Sequence, residues 1–404
     1  MRWSIRGQCA QMTEIKKNSS YPWSILPFFA LVYMTDAVYQ NYYGNFLVGR
    51  GIEQSAIGTI MAISPIAALL AQPIWGAAGD RMKWKNTLLT WLTGISALVL
   101  VAAGFVNAVW SAMAVVCAYA FFHDSISPLL TAMALETLEK GRFRFGPVRM
   151  SGTVAYAVTS PVIGFVMANN YGLAPFFGAL FLGMGLIAAF FLPKVEGHQH
   201  GKREKVSMMR LLKNKPLMLM TLFCIAQNIG CAHFNTYFSL YMEGMGASSG
   251  LIGVAYFLSA VAEIPFLLMG DRIFRKIGVG GLLILSTVAA SLRMLFTGMS
   301  QSAGLAAVAQ LLHGWDTIVM MFAMAKYVNL TVPDDLKASG QMLFNVIALG
   351  VARAVGSWIS GQLVGLTDLR MPFYFSAAFC LISVVIFGAI ILKNRDLRNA
   401  GREE

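Results

Sequence analysis

Of 404 residues, 57% are hydrophobic and only 12% charged, and the formal net charge is +12. A soluble domain carries about 25% charged residues, so a soluble fold is excluded. Apolar runs recur from end to end, which also excludes a soluble domain on a single anchor. The basic residues flank the apolar segments, so the positive charge points to membrane sidedness and not to nucleic acid.

In chain order, hydropathy windows of about 20 residues predict twelve spans. Residues 1–22 are a polar tail with Arg2, Arg6, Lys16 and Lys17; it has no apolar core of a signal peptide, so no cleavable leader is expected. The first span, 23–47, carries Asp36, Tyr39, Tyr42 and Tyr43. The second, 55–78, runs into a basic loop with Arg81, Lys83 and Lys85. The third is 87–106, and the fourth, 109–134, carries His123 and Asp124 before Lys140, Arg142 and Arg144. The fifth, 147–168, opens on Arg149, and a short turn, Asn169–Gly172, leads to the sixth, 173–193. Residues 194–215 form the longest and most basic loop, where His198 and His200 are expected in solvent. The seventh span, 216–241, holds Phe234, Tyr237, Phe238 and Tyr241, and the eighth, 249–269, holds Glu263. Arg272, Arg275 and Lys276 follow it. Arg293 lies in the ninth, 279–299, and His313 and Asp316 in the tenth, 303–327. Spans 339–365 and 371–392 precede a basic tail, 393–404.

Loops of one side carry nearly all the positive charge, so that side and both termini are expected in the cytoplasm of a cell membrane. The halves also repeat. PIWGAAGDRMKWK (Pro73–Lys85) matches PFLLMGDRIFRK (Pro265–Lys276), and AYAVTSPVIG (Ala155–Gly164) matches ARAVGSWISG (Ala352–Gly361). The expectation is an all-α membrane protein: two pseudo-symmetric six-helix bundles, 23–193 and 216–392, joined by the linker 194–215. In the repeated GDR motif, Asp80, Arg81, Asp271 and Arg272 are candidates for gate latches. Gly76 and Gly79 would allow close helix approach. Interfacial capping of the helix ends is the alternative.

Other chemistries find no support. None of the five cysteines (Cys9, Cys117, Cys224, Cys231, Cys380) forms a CxxC, so no metal cluster or disulfide framework is expected. There is no GxxxxGK[ST] phosphate loop, no nucleophile–base pair and no metal set, so neither an ATP-driven pump nor an enzyme is expected, and no cofactor.

Glu263, Arg293, His313 and Asp316 are flanked by long apolar runs. Charge inside a bilayer is costly and usually functional. Two carboxylates, an arginine and a histidine can take up, hold and release a proton. His313 and Asp316, three apart, are expected on one helical face. Structural salt bridges are the competing reading. For Asp36, a cargo contact, a partner of Arg149 and a hydrogen-bonded interfacial residue remain open. His123 and Asp124 form either a pH-sensing pair or a buried polar pair lining the cavity.

These residues resemble those of the lactose permease branch of the major facilitator superfamily, the oligosaccharide:proton symporters. FRFGPVRMSGTVAYA is similar to that family's sugar-binding arginine segment, and LLHGWD to its LHxxE. The resemblance implies that Arg149 and Glu263 contact sugar and that Tyr156 replaces a stacking tryptophan. It further implies that Arg293 assists deprotonation, His313 links the two sites and Asp316 carries the proton. A monomer in the bilayer, taking a sugar-like solute and protons, is implied. The departures are specific. Thr131 stands where the arginine's carboxylate partner would be, with Glu136 or Asp124 as substitutes. Cys231 and Phe234 stand near two missing aspartates, Gln310 replaces a lysine, Arg353 lies near another lysine's position, and Phe266 replaces an asparagine. The leading expectation is a proton-driven importer of a sugar or glycoside. A symporter of an aromatic carboxylate or nucleoside, or a drug:proton antiporter, are the alternatives.

Overall fold

A computed structural model describes residues 22–140, 145–196, 211, 213–333, 336–394 and 397. Most of the tails 1–22 and 393–404 and of the linker 194–215 lie outside them. With no water in a bilayer core to satisfy backbone N–H and C=O groups, helices are the economical solution. Among the described residues the long elements are all helical.

The first half contains α1 (Ile25–Gly49), α2 (Gln54–Arg81), α3 (Lys85–Ala103), α4 (Val109–His123), α5 (Ile126–Lys140), α6 (Gly146–Met167) and α7 (Ala174–Ala189). The second contains α8 (Lys215–Gly244), α9 (Ser249–Met299), α10 (Ala303–Ala309), α11 (Thr317–Thr331), α12 (Lys337–Phe344), α13 (Ala352–Leu366) and α14 (Met371–Lys393). Among the described residues, ten segments are long and apolar enough to cross a membrane. Two facts bring these to the twelve expected. At about 1.5 Å per residue, the 51 residues of α9 are more than twice a bilayer core; the chain folds at Gly278 (φ 68°), separating two spans. That left-handed conformation suits glycine. In addition, α1 has 25 residues, but its polar positions, among them Thr35, Asp36, Gln40, Asn41 and Asn45, lower its hydropathy.

The α4–α5 pair forms one span, broken at Asp124–Ser125. The tenth span is likewise broken: a 3₁₀ stretch, Gln310–Trp315, separates α10 from α11. A π-helical stretch, Asn345–Val351, joins α12 to α13.

The two six-helix bundles meet along α6 against α9 and α2 against α13. At the short-turn end they are in direct backbone contact. A Cβ on Gly58 would strike Ser357 and Gly361, one on Gly164 would strike Ser249, and one on Gly253 would strike Ser160 and Pro161. Hydrogen bonds close the same end. Tyr42 Oη donates to the Ser249 carbonyl (3.2 Å), and Tyr237 Oη joins Gly58 N–H to the Gln54 carbonyl (2.8 Å each). Asn169 and Ser249 exchange bonds of 2.7 and 2.9 Å, and Asn45 donates to Glu243. These hydrogen bonds between the halves all belong to this end. The structure is sealed there.

Candidate functional site

The second half wires its four expected residues into one chain. Arg293 Nε lies 2.7 Å from Asp316 Oδ2, His313 Nδ1 lies 3.1 Å from Asp316 Oδ1, and His313 Nε2 lies 3.7 Å from Glu263 Oε1. Arg293 and Asp316 are essentially inaccessible, at 1% and 0% side-chain exposure, whereas His313 and Glu263 reach 20% and 26%. The chain thus runs from a dry ion pair to a wetter carboxylate. Arg293 Nε and Asp316 Oδ2 have the distance of a hydrogen bond without its alignment, so the contact is one of charge. The Arg293 guanidinium sits 4.0 Å over the Phe234 ring, and Arg293 Nη1 donates to Gln310 Oε1 at 3.2 Å. Gln310 in turn donates to Thr297 Oγ1 (3.2 Å) and the Ala306 carbonyl (2.9 Å). The replacement at position 310 is therefore a neutral prop for Arg293.

One expectation needs correction. His313 and Asp316 do not share a face of a regular α-helix. His313 lies in the 3₁₀ stretch, and Asp316 is the N-cap of α11, with non-helical φ −107° and ψ −90°, its carboxylate accepting from Thr317 N–H. Three residues make one 3₁₀ turn, so the two side chains still stack. The break packs onto α9. Gly314 lies so close to the Ala262 carbonyl and the Glu263 nitrogen that no Cβ would fit. That contact sets Glu263 against His313. The HG step of LLHGWD was its sequence signal.

The first half is looser. Arg149 is exposed, and its guanidinium lies 5.0 Å over the Tyr33 ring. Among the described residues no carboxylate is within ion-pair distance of it, but its charge is in reach of Glu263 across the interface. Of the suggested partners, Glu136 bonds Lys85 instead, and Asp36 and Asp124 flank His123, whose Nδ1 is 3.8 and 3.6 Å from their nearest oxygens. Tyr156 Oη donates to Asn41 Oδ1 at 2.8 Å, and Asn41 donates to Ser160 Oγ at 2.9 Å. Asn41, a buried polar residue among tyrosines, escaped the sequence reading. Arg353 is exposed, yet its charge reaches Asp124, Tyr156 and Tyr256, groups of both halves.

The GDR motifs behave differently from one another. Asp271 bonds Lys326 at 2.8 Å within its own half. Among the described residues Asp80, Arg81 and Arg272 have no ion-pair partner. A Cβ on Gly79 would touch Leu88 and Leu129 at 3.4 Å, whereas one on Gly76 would meet open space. The close approach expected of both glycines is therefore confined to Gly79.

A helical bundle pair in direct contact at one end, with charged side chains in both halves, has the architecture of a membrane transporter. The chain belongs to the MFS_1 like family of the major facilitator superfamily, whose model matches residues 23–375. Among curated relatives, the maltose permease of Geobacillus stearothermophilus is 23% identical over 354 residues, covering 87% of this chain and 88% of that protein. A probable 3-phenylpropionic acid transporter of Escherichia coli (strain K12) is 20% identical over 352 residues, covering 84% and 90%. The crystal structure of the nucleoside transporter NupG (D323A mutant) superimposes with a TM-score of 0.84 at 16% identity, covering 91% of this chain and 99% of that one.

Proposed function

We propose that this transporter couples inward movement of a sugar or glycoside to protons. In this reading its basic end faces the cytoplasm of a cell membrane and it works as a monomer, the bundles 23–193 and 216–392 rocking about the linker 194–215. The carrying observation is the continuous chain Arg293–Asp316–His313–Glu263. It joins a buried acid to a carboxylate that faces Arg149. A buried ion pair adds little net stability compared with apolar packing, so a role in coupling explains its presence better than a role in folding.

Each residue then has a task. Arg149 and Glu263 hold the cargo's polar edge from opposite halves, and Tyr156 presents a ring to its apolar face. Asp316 carries the proton. While Arg293 lies against it, its charge is balanced; when rocking draws Arg293 away, only a proton can balance it. His313 passes the change to Glu263, so cargo and proton occupancy become linked. Asp80, Arg81, Asp271 and Arg272 would latch the basic end in the opposite state, in which the two GDR turns approach the other bundle. Similarity to a maltose permease supports the sugar reading.

A second reading is an amphipathic aromatic carboxylate. Among the described residues Arg149 has no acidic partner of its own half. Beside it lies a groove of about 600 Å³ lined by Met34, Pro147, Met150, Ser151, Val154, Ala155, Val158 and Thr159, almost wholly apolar. An arginine can bind a carboxylate bidentately. Thermal-shift screening of the purified protein against sugars, nucleosides and aromatic acids separates the readings, because a ligand of the folded state raises the melting temperature. The hit is then tested for accumulation in proteoliposomes under a proton gradient. A cargo accumulated equally without the gradient would sink the coupling.

A further inference from the structure

We propose that the first half contains a second proton-binding site, Asp36–His123–Asp124. This deepens the transport reading by adding a second coupling proton.

The first support is an orphaned imidazole. His123 is 3% exposed, and neither ring nitrogen has a hydrogen-bond partner. Leaving a buried polar group unsatisfied is costly. The ring is held in place by stacking. It lies 4.5 Å from Tyr119 at 15°, Tyr119 lies 4.2 Å from Tyr39, and Tyr39 lies 4.7 Å from Tyr43. The hydroxyls of those three tyrosines are also buried without partners. Packing thus fixes an imidazole between two carboxylates at 3.6 and 3.8 Å. Asp36 and Asp124 are 20% and 36% exposed, so a proton can enter from the cleft.

The second support is symmetry. Asp124 ends the broken fourth span as Asp316 ends the 3₁₀ break of the tenth. The positions are 192 residues apart, the same offset as Pro73 to Pro265 in the repeated GDR segment. His123 immediately precedes Asp124 and His313 lies three residues before Asp316, so at this offset the acids correspond and the histidines do not. Each half therefore places a His–Asp pair at a helix break on the same span of its bundle. The second-half pair is wired to Arg293. Among the described residues no arginine forms an ion pair with the first-half pair.

The charges that face His123 are few. Asp36, Tyr39 and Tyr43 come from α1, Tyr119 from α4 and Asp124 from the break. Tyr156 of α6 interacts with Asp36, and Arg353 of α13 with Asp124. Two carboxylates and a protonated imidazole sum to −1, so the set can take a further proton, and the charge of Arg353 acts on it through Asp124.

The test is a titration of the full-length protein in lipid nanodiscs, with the histidine ring carbons labelled for NMR; no cargo is needed. The His123 signal is assigned by its loss in His123→Asn. If that variant does not fold, it is assigned by elimination after replacing His198, His200, His233 and His313. The signal is expected to titrate between about pH 5 and 9. In Asp36→Asn and Asp124→Asn its midpoint falls by about one pH unit or more, a tenfold loss of proton affinity. In Arg353→Gln it rises. In Asp316→Asn it is unmoved, although that variant breaks the coupling proposed for the other half. A signal that does not titrate, or a midpoint unchanged in both carboxylate variants, overturns the site. So does a signal displaced by sodium but not by pH, which would make it a metal-cation site. Failure of proton-driven accumulation in the wild type would strike the transport reading and leave this titration standing.

Discussion

The two halves have related helix layouts and opposite electrostatic styles. In the second, Arg293–Asp316 (2.7 Å) and His313–Asp316 (3.1 Å) are in close contact and the innermost pair is dry, with Glu263 3.7 Å from His313. In the first, Arg149 is exposed over a ring, and Asp36, His123 and Asp124 stand at distances longer than hydrogen bonds. A tight ion chain changes state only when a whole element moves. A loose one responds to small shifts of a charge across the cleft. Under the proposed function, this difference would place the decisive coupling step in the second half, with cargo held from both halves.

The largest effect expected from breaking this asymmetry is at Asp316. Asp316→Asn should reduce proton-driven accumulation in proteoliposomes to background while cargo exchange persists; surviving accumulation would refute the assignment. The double change Arg293→Met with Asp316→Leu sharpens the point. A buried pair replaced as a unit by apolar residues is often neutral or stabilising, so the melting temperature should hold while transport is lost. If the protein fails to fold, the pair is structural.

Next in size is Arg149→Lys. A point charge does not reproduce a planar fork, so cargo affinity should fall at least tenfold, about 1.4 kcal/mol, as measured by the ligand-induced thermal shift. Unchanged affinity would make Arg149 an interfacial anchor.

The seal comes third. Gly58→Val forces a Cβ into the Gly361 backbone. Overpacking of this kind costs about 1–3 kcal/mol, and here the cost falls on the sealed state alone. A reporter cysteine, Asn41→Cys, should then be labelled by a maleimide faster than in the Gly58 background. Equal rates would show that the short-turn end does not open.

The smallest effect is at Asp271, 68% exposed beside Lys326. Exposed pairs contribute roughly 0–1 kcal/mol. Asp271→Asn should leave the melting temperature almost unchanged, and any larger change in transport rate would belong to the opposite gate state.

Much of the site was legible because charge in an apolar run is conspicuous. Glu263, Arg293, His313 and Asp316 stand out by composition, and the structure brings them together. Arg149's surroundings were not legible. Glu136 was as good a candidate partner as Asp124 by spacing, and the rotation of α5 turned it toward Lys85 instead. Gly76 and Gly79 occupy one motif, yet only Gly79 faces a neighbour.

The sequence by itself determined the twelve spans, the division into two repeats and the asymmetry of basic loops. Each follows from local transfer of side chains into lipid, which depends on composition over about 20 residues. Only the tertiary structure decided the break at Asp316, the contact of Gly314 with α9, the fold of α9 at Gly278 and the gathering of Asp36, His123 and Asp124. These depend on how far each helix is rotated and where helices cross. Rotation and crossing are set by packing between residues far apart in the chain, which local hydropathy does not contain.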